Sequence, residues 1–440
     1  MRTHLFDGVQ ACNDKINNTE MEHEQARLRV GLIGFGCVGQ GFYDIVQQQP
    51  GLNLVVTRIA VKNPTKPRTL PAERFSFHAD DLLADPEVDL LVEVIDDAAE
   101  AFRLVSAALR QGRRVVTANK AMLARHLPEL VQLQADFGGT LLYEAAVCGS
   151  IPVIRTLDQY FGHEPLRSVS GIFNGSSNYV LTRMGEDGSD YGPALAEAQA
   201  QGFAETDPAL DMGAFDPRSK AVILAAHAYG VFLNAEEVLN LGIEGIGAAD
   251  IARAAAHGRK IKVVAGLYRL PDGHTTALVT PQLVGPESPL YAVDREFNGV
   301  VLEAEFAGAQ FLRGRGAGGH PTGSAVLADV LALQRGLRYG YTKQDAPAAV
   351  QLTQGLAVEA YVSHPDVGAL REVLTWLELP PETLCTDEHG TYATGPVALE
   401  QLFAWRKELR ANGVFVARVG EVLPLGAPAD VLAQHLAALV

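Results

Sequence analysis

The sequence predicts an α/β protein: a doubly wound parallel sheet first, an α+β region behind it, and a small βαββαβ module at the end. Three observations carry this. Residues 29–33 form a short apolar run that enters Gly34-Phe35-Gly36-Cys37-Val38-Gly39 and continues as a helix-like stretch to Gln49, before Pro50-Gly51. Strand and helix signals then alternate as far as Ala145. From about residue 350 the signals run strand, helix, strand, strand, helix, strand, the order of a small two-layer module.

Each element has a local reason. In the opening strand–turn–helix, the first glycine permits a tight turn, the second lets the backbone approach a pyrophosphate, and the third lets the helix pack close to the strand. The helix amides then face the phosphates. A lone G-x-G-x-x-G is a weak signal, since an ordinary glycine-rich turn has the same letters. Its context strengthens it: strand Leu52–Val61, strand Leu90–Ile95, helix Ala98–Gln111, strand Arg114–Thr117, helix Ala121–Phe137 and strand Thr140–Ala145 follow in turn. This is a Rossmann-type domain expected over residues 29–152, completed by a helix at about 321–336. Residues 153–336 hold a strand at Ser168–Phe173, a helix opening at Asn174-Gly175-Ser176-Ser177-Asn178-Tyr179, and an apolar helix that ends at Gly230. The last region, 350–440, reads as strand Ala357–Val362, helix Val367–Leu377, a further strand, strand Thr391–Gly395, helix Val397–Ala411 and strand Val414–Val419.

Composition narrows the class of protein. At 440 residues the chain exceeds what one hydrophobic core covers, and 48% hydrophobic with 20% charged residues is the composition of a folded globular chain. A net charge of −16 argues against nucleic acid or an anionic membrane as partner, because both need a basic face. No apolar run approaches the roughly 18 residues that span a bilayer, and residues 1–28 are polar, without the apolar centre of a signal peptide. A cytosolic protein with an N-terminal tail, or with a start at Met21, is expected. The four cysteines, Cys12, Cys37, Cys148 and Cys385, have no metal-ligand or disulfide spacing, so free thiols are expected.

The chemistry lies in a few segments. After the second strand, where NAD-selective proteins carry an acidic residue for the ribose 2′-hydroxyl, stand Val61-Lys62-Asn63, with Arg58, Lys66 and Arg68 nearby. Basic groups tolerate a 2′-phosphate, which favours NADP or dual use; solvated surface cations are the alternative. Thr117-Ala118-Asn119-Lys120 closes the strand at 114–117 and puts Lys120 where ligands of such sheets sit, or leaves it as a surface lysine. Further on, Glu205, Asp207, Asp211 and Asp216 place four carboxylates within twelve residues. Asp216-Pro217 reads as a helix cap and first position, and as a cap alone Asp216 contributes about 1 kcal/mol. That leaves Lys220 unexplained, because a cation in a first helical turn opposes the dipole. Four residues apart, Asp216 and Lys220 share a helix face and can pair with each other or with a zwitterionic ligand. An amino-acid site and a calcium-like loop both remain open from these residues alone, although the spacing is not that of an EF-hand. The amides of the 174–179 turn can hold a carboxylate or be ordinary serine-capped turn amides.

Together these segments resemble homoserine dehydrogenase, over about residues 29–336. The substrate-site pattern is met by Ala198 to Gly202, Asp207-Pro208, Asp211, Asp216 and Lys220, except that Ala214, beside Gly213, replaces the glycine usually found two before the last aspartate. The resemblance implies reversible NAD(P)H-dependent reduction of aspartate semialdehyde to homoserine. Lys220 would be the proton donor and acceptor, Lys120 a second essential lysine, Glu205 and Asp216 ligands of the substrate's ammonium or hydroxyl side, and Asp211 their support. Asn174, Gly175 and Ser176 would meet substrate. Gly34 to Gly39, Lys62, Thr117, Lys120, Gly202 and the second loop Gly314 to Thr322, with Gly316 and Gly318, would meet cofactor. Tyr143 to Pro152 is similar to the family's monovalent-cation site, implying Glu144 and the carbonyls of Val147, Gly149 and Ile151 as ligands of a structural ion such as sodium. Phe203 in place of a common tyrosine, and Asp96-Asp97 in place of Gly-Gly, are two further departures.

With no kinase segment before it, the chain would be the monofunctional form, with region 153–336 catalytic and dimer-forming. Region 350–440 resembles ACT regulatory modules without their glycine-centred ligand loop, so amino-acid sensing and a structural or dimer-forming role both stand. Two rivals remain: another amino-acid dehydrogenase on the same plan, which would not need the Asp216–Lys220 helix, and a catalytically silent NADP sensor, which would be expected to lack one of Lys120, Glu205, Asp216 and Lys220. A homodimer or larger homo-oligomer is expected from the resemblance alone.

Overall fold

The computed structural model describes residues 27–344 and 352–424. The expected N-terminal tail up to residue 26, Cys12 within it, and residues 425–440 of the last region lie outside these. Two sheets organise the chain. The first comprises β1 (Leu28–Ile33), β2 (Leu54–Ala60), β3 (Phe75–Ser76), β4 (Leu90–Glu93), β5 (Arg114–Thr117) and β6 (Thr140–Leu142), in the order β3-β2-β1-β4-β5-β6. Every pairing is parallel, so the order reverses between β1 and β4, the switch point where ligands of doubly wound sheets bind. Helices α1 (Cys37–Gln48), α2 (Asp80–Ala84), α3 (Ala98–Arg110) and α4 (Lys120–Phe137) make the crossovers.

Strand β4 stops at Glu93, two residues before the sequence expectation, because the Glu93 carboxylate accepts the Ile95 amide at 2.8 Å and turns the chain out of the sheet. Likewise β6 ends at Leu142, where the chain tightens into a 3-10 turn at Glu144–Ala146.

Next come β7 (Leu166–Ile172), α5 (Gly175–Asp187), α6 (Tyr191–Ala200), α7 (Phe215–Tyr229), β8 (Leu239–Asn240), α8 (Ala248–Ala256), β9 (Lys260–Arg269), β10 (Thr275–Val284), β11 (Phe297–Ala304) and β12 (Gly308–Arg315). The sequence reading left β9 to β12 unassigned. Strand β9 is buried along seven consecutive residues, and a strand covered on both faces lacks the alternation by which strands are recognised.

Helix α9 (Gly319–Gln334) then returns to the first sheet and packs on α1. The approach is close enough that a Cβ on Gly41 would lie 2.2 Å from the Gly319 carbonyl group, and one on Gly323 2.5 Å from the Phe42 nitrogen. Only glycines permit that crossing.

The last elements are β13 (Leu356–Ser363), α10 (Val367–Trp376), β14 (Leu384–Asp387), β15 (Gly390–Ala398), α11 (Leu399–Ala411) and β16 (Phe415–Pro424). Their βαββαβ order is the one read from sequence, and the strands lie as β16-β13-β15-β14, each pair antiparallel. The likeness to ACT modules rests on this topology alone. Rather than standing apart, the module continues the second sheet: β16 pairs in parallel with β10 at Gln282↔Arg418 and Leu283↔Val419, giving the order β12-β11-β7-β9-β10-β16-β13-β15-β14. One large core runs through the first sheet and the central region, while a second, built on β13–β16, α10 and α11, takes in Leu239, Leu241 and Leu278.

Candidate active site

At the switch point the glycine turn has the geometry its letters imply. Gly34 takes φ +104° directly against the Val94 carbonyl, and a Cβ on Gly39 would sit 2.3 Å from the Gly34 oxygen, fixing helix to strand. Gly36, at the N-cap of α1, faces open space, and Cys37 beside it is exposed. Phe35 turns inward, edge-on to Tyr43 and Phe75, while Val38 packs half-buried against the core. The second loop closes on the first: a Cβ on Gly319 would lie 2.8 Å from the Cys37 carbonyl. Gly318 caps α9 at φ +112°, and Gly316 lies flat on the Asn298 side chain.

The basic groups after β2 divide. Arg58 is committed to Asp85 at 3.2 Å, whereas Arg68 folds over its own loop, donating to the Lys66 carbonyl and stacking on Phe75. Lys62 is exposed beside it.

Thr117 faces inward. Its hydroxyl donates to Glu93 and accepts the Asn119 amide at 3.0 Å, so only its main chain is left to meet a cofactor. Asn119 caps α4 through the Met122 amide and reaches the Ile95 carbonyl. Burial pushes the Glu93 carboxyl up to about 7, against the hydrogen bonds from Thr117 and Ile95 that hold it down. Asp97, one of the two departures here, caps α3 by accepting the Glu100 amide.

Lys120 emerges from this network at the first position of α4 and crosses to α7. Its ammonium lies 3.0 Å from Asp216 Oδ1, while Lys220 Nζ lies 2.7 Å from Asp216 Oδ2 and donates to the Phe173 carbonyl at 2.6 Å. Asn174 donates to Asp216 at 2.9 Å and to Asp211 at 2.7 Å. Burial alone would raise the Asp216 carboxyl, but the two lysines outweigh it and hold Asp216 far below the ordinary carboxylate range. Asp216 in turn raises Lys120, with smaller contributions from Asp211 and Glu205. Asp211 is shifted upward, by burial and then by Asp216.

The lysines differ in exposure: the Lys220 side chain is 8% exposed, that of Lys120 44%. One is buried and the other is partly open to solvent. Asp216, expected to hold substrate, has both oxygens engaged, Oδ1 by Lys120 and Oδ2 by Lys220 and Asn174. Glu205 is exposed on the loop after α6, near Gly202 at φ +76°, and Ser176 lies within hydrogen-bond reach of Asp211. Asn174 caps α5 through the Ser177 amide, and Gly175 sits so close to the Glu296 carbonyl that a Cβ would lie at 2.6 Å. Phe203 stacks on Tyr179, ring centroids 4.5 Å apart.

In the 143–152 turn, the Glu144 carboxylate accepts the Ile154 and Arg155 amides at 2.8 and 2.7 Å, and its own amide donates to Asp329. Burial and then Asp329 push Glu144 up to about 8. Val147 and Ile151 are buried, and Gly149, at φ +54°, lies against Arg315 and Gly316 of the second loop. The Ile151 carbonyl accepts the Val153 amide. Among the described residues no group of three or more His, Cys, Asp or Glu is placed to hold a metal ion.

Sequence reasoning missed Glu93, Asp329 and Asn298. Glu93 and Asp329 had a signal, a carboxylate inside the apolar runs Leu90-Leu91-Val92-Glu93-Val94-Ile95 and Ala325-Val326-Leu327-Ala328-Asp329-Val330-Leu331; Asn298 has none without the fold.

A bare glycine turn at the switch point suits a dinucleotide's pyrophosphate, and an ammonium held in the adjoining cleft suits an oxygen that gains or loses a proton as hydride moves. The fold and the site thus define a class, the NAD(P)-dependent oxidoreductases acting on a CH–OH group. Family models described as homoserine dehydrogenase, NAD binding domain, and homoserine dehydrogenase match residues 34–144 and 152–331. The chain belongs to the homoserine dehydrogenase family. It is 38% identical to the Mycobacterium bovis homoserine dehydrogenase over 326 residues, 72% of this chain and 74% of that protein. Among solved structures, a homoserine dehydrogenase from Thiobacillus denitrificans superposes with TM-score 0.75 at 27% identity, covering 90% of this chain and 97% of its own. A hyperthermophilic archaeal homoserine dehydrogenase in complex with NADPH gives TM-score 0.62 at 26% identity, over 71% and 99%. No helix among the described residues is long and apolar enough to cross a membrane.

Proposed function

We propose that the cleft between the switch point and α7 interconverts L-aspartate 4-semialdehyde and L-homoserine, with Lys220 as the proton donor and acceptor. The observation that carries this is the Asp216 carboxylate bridging two lysines of unequal exposure. The nicotinamide cofactor supplies a hydride to the aldehyde carbon, or takes it back. As the carbonyl oxygen gains charge it needs a cation already in place, since a preorganised charge in a dry cleft is worth far more than one recruited from water. Lys220, fixed by Asp216 and the Phe173 carbonyl, gives that oxygen a proton, completing the alcohol. Lys120 steadies the same oxygen from the open side. With Asp216 filled, the substrate ammonium falls to Glu205 and Asp211, and its carboxylate to the amides at Gly175 and Ser176.

NADP is the preferred cofactor in this reading, supported by Lys62 and Arg68 where an acidic residue would mark NAD. A monovalent cation at the 143–152 turn would rest on the main-chain carbonyls of Val147, Gly149 and Ile151, and its charge would draw the neighbouring Glu144 carboxyl back down towards its ionised form. A cytosolic homodimer belongs to the same reading and rests on the family resemblance.

The test follows homoserine oxidation with NADP and then NAD, alongside Lys220→Ala. Loss of roughly 10²–10⁴ in kcat with cofactor binding retained is the expected result. A wild type that binds NADPH but leaves both homoserine and the semialdehyde untouched would sink the substrate assignment.

A further inference from the structure

The helix that carries Asp216 and Lys220 begins from a strained turn. Ala214, at the N-cap of α7, has φ 59° and ψ 26° and is fully buried. A left-handed alanine costs about 1–2 kcal/mol and persists only where its surroundings determine it. Part of what holds it comes from outside the central region. The Gly213 carbonyl accepts Arg410 Nη2 at 3.1 Å, from α11 of the C-terminal module, together with Asn240 Nδ2 at 2.7 Å. The same guanidinium lies 4.6 Å from the centre of the Phe215 ring, and its Nε is 3.3 Å from Glu244. Phe215 also meets Arg218, which pairs with Glu236 at 3.2 Å. Arg410 therefore grips the residues on both sides of Ala214, one and three positions before Asp216.

We propose that Arg410 is a positioning residue for the reaction: by clamping Gly213 and Phe215 it sets the register in which Asp216 presents Lys220 to substrate, and it makes the C-terminal module part of the catalytic apparatus. The inference rests on the assignment of Lys220 above. Reaching the turn needs a planar group that donates at one edge while stacking on a ring, which arginine supplies and lysine does only in part. A misplacement of about 1 Å remote from the chemistry can cost roughly 10² in rate.

The experiment compares Arg410→Ala, Arg410→Lys and Arg406→Ala on the full chain, with Lys220→Ala in parallel, reading kcat, KM for homoserine, NADPH affinity and the pH profile of kcat. Arg406 lies one turn earlier on α11 and pairs with Glu236 at 3.6 Å instead, so its variant should retain wild-type kcat. Arg410→Ala should lose at least tenfold in kcat with NADPH affinity unchanged and the pH profile displaced, because altered lysine–carboxylate spacing changes the charges that govern proton transfer. Arg410→Lys should recover part of the rate, and adding Ala214→Gly to Arg410→Ala should restore more, since the turn then needs less clamping. Arg410→Ala with kcat within twofold of wild type and an unmoved profile overturns the proposal, whatever its Tm. Should that variant not fold, Arg410→Lys decides by the same two readouts. If Lys220→Ala itself keeps full activity, the Lys220 assignment has failed; if it is inactive while Arg410→Ala is normal, only the present inference has.

Discussion

At the scale of single residues, strain and charge are stored around Asp216. The Ala214 backbone is the clearer case, because the penalty for a left-handed alanine, about 1–2 kcal/mol, exceeds the extra unfolded-state freedom of a glycine, about 0.4–1 kcal/mol. Ala214→Gly should therefore stabilise the protein by a net 0.5–1 kcal/mol or so, seen as a higher midpoint in urea with an unchanged slope. A lower midpoint would mean that the buried Ala214 methyl contributes more packing than its backbone costs. Much of this site was legible in the sequence: Lys220, four residues after Asp216 and unfavourable at a helix start, already asked for a partner. That the partner would consume the whole carboxylate was not, since Lys120 and Asn174 come from elements 96 and 42 positions away in the chain. That Ala214 sits where glycine would be easier was signalled by the family pattern, which has glycine there; the left-handed backbone at φ 59° is the physical reason.

At the scale of elements, the glycine turn, the parallel strands and the final βαββαβ order were readable because each has a periodic or punctuated local signature. Strand ends were not, because they depend on side chains such as Glu93 that compete with the ladder for an amide. The buried end of β4 also sets a pH dependence. Glu93 is raised from 4.5 to about 7, so the native state binds its proton more tightly than the unfolded chain. The sign follows: the contribution is fully present below pH 4.5 and is lost as pH rises towards 7. Asp329, raised to about 6 by burial, acts in the same direction. Glu93→Gln keeps one acceptor oxygen, enough for either Thr117 or Ile95, and cannot ionise. Denaturation midpoints measured from pH 4 to 8 should show it losing less stability across that window than wild type, by an amount of the order of 3 kcal/mol at most. Parallel curves for the two proteins would show that Glu93 binds its proton no more tightly in the native than in the unfolded chain.

At the scale of the whole molecule, the question is how a module with its own core acts on a site in another. Among the described residues β10 meets the module at two residue pairs with β16 and at one bridge, Thr275↔Leu352, a short seam for backbone bonding alone. A polar latch supplies the rest. Arg253 on α8 is 4% exposed, pairs with Asp387 at 2.6 and 2.7 Å, and stacks on Tyr392 at 4.2 Å, while Tyr361 and Ser363 each donate to Asp250 at 2.6 Å. Arg253 thus lies between the buried Asp250 and the exposed Asp387. Removing Arg253 takes the neighbouring cation from the buried Asp250 and the stacking partner from Tyr392, while the exposed Asp387 is left to water. With the latch intact, the central region and the C-terminal module should unfold in one transition. In Arg253→Ala the module should loosen first, giving an early thermal transition and faster hydrogen exchange along β13 to β15, while α4 and the first sheet stay protected. Because Arg410 reaches the Asp216 turn from that module, its loosening should lower homoserine turnover at temperatures where NADPH is still bound. If Arg253→Ala instead retains a single transition with Tm within about 2 °C of wild type, the latch is not what couples the two cores, and the apolar contacts of Leu239, Leu241 and Leu278 with the module must carry the coupling.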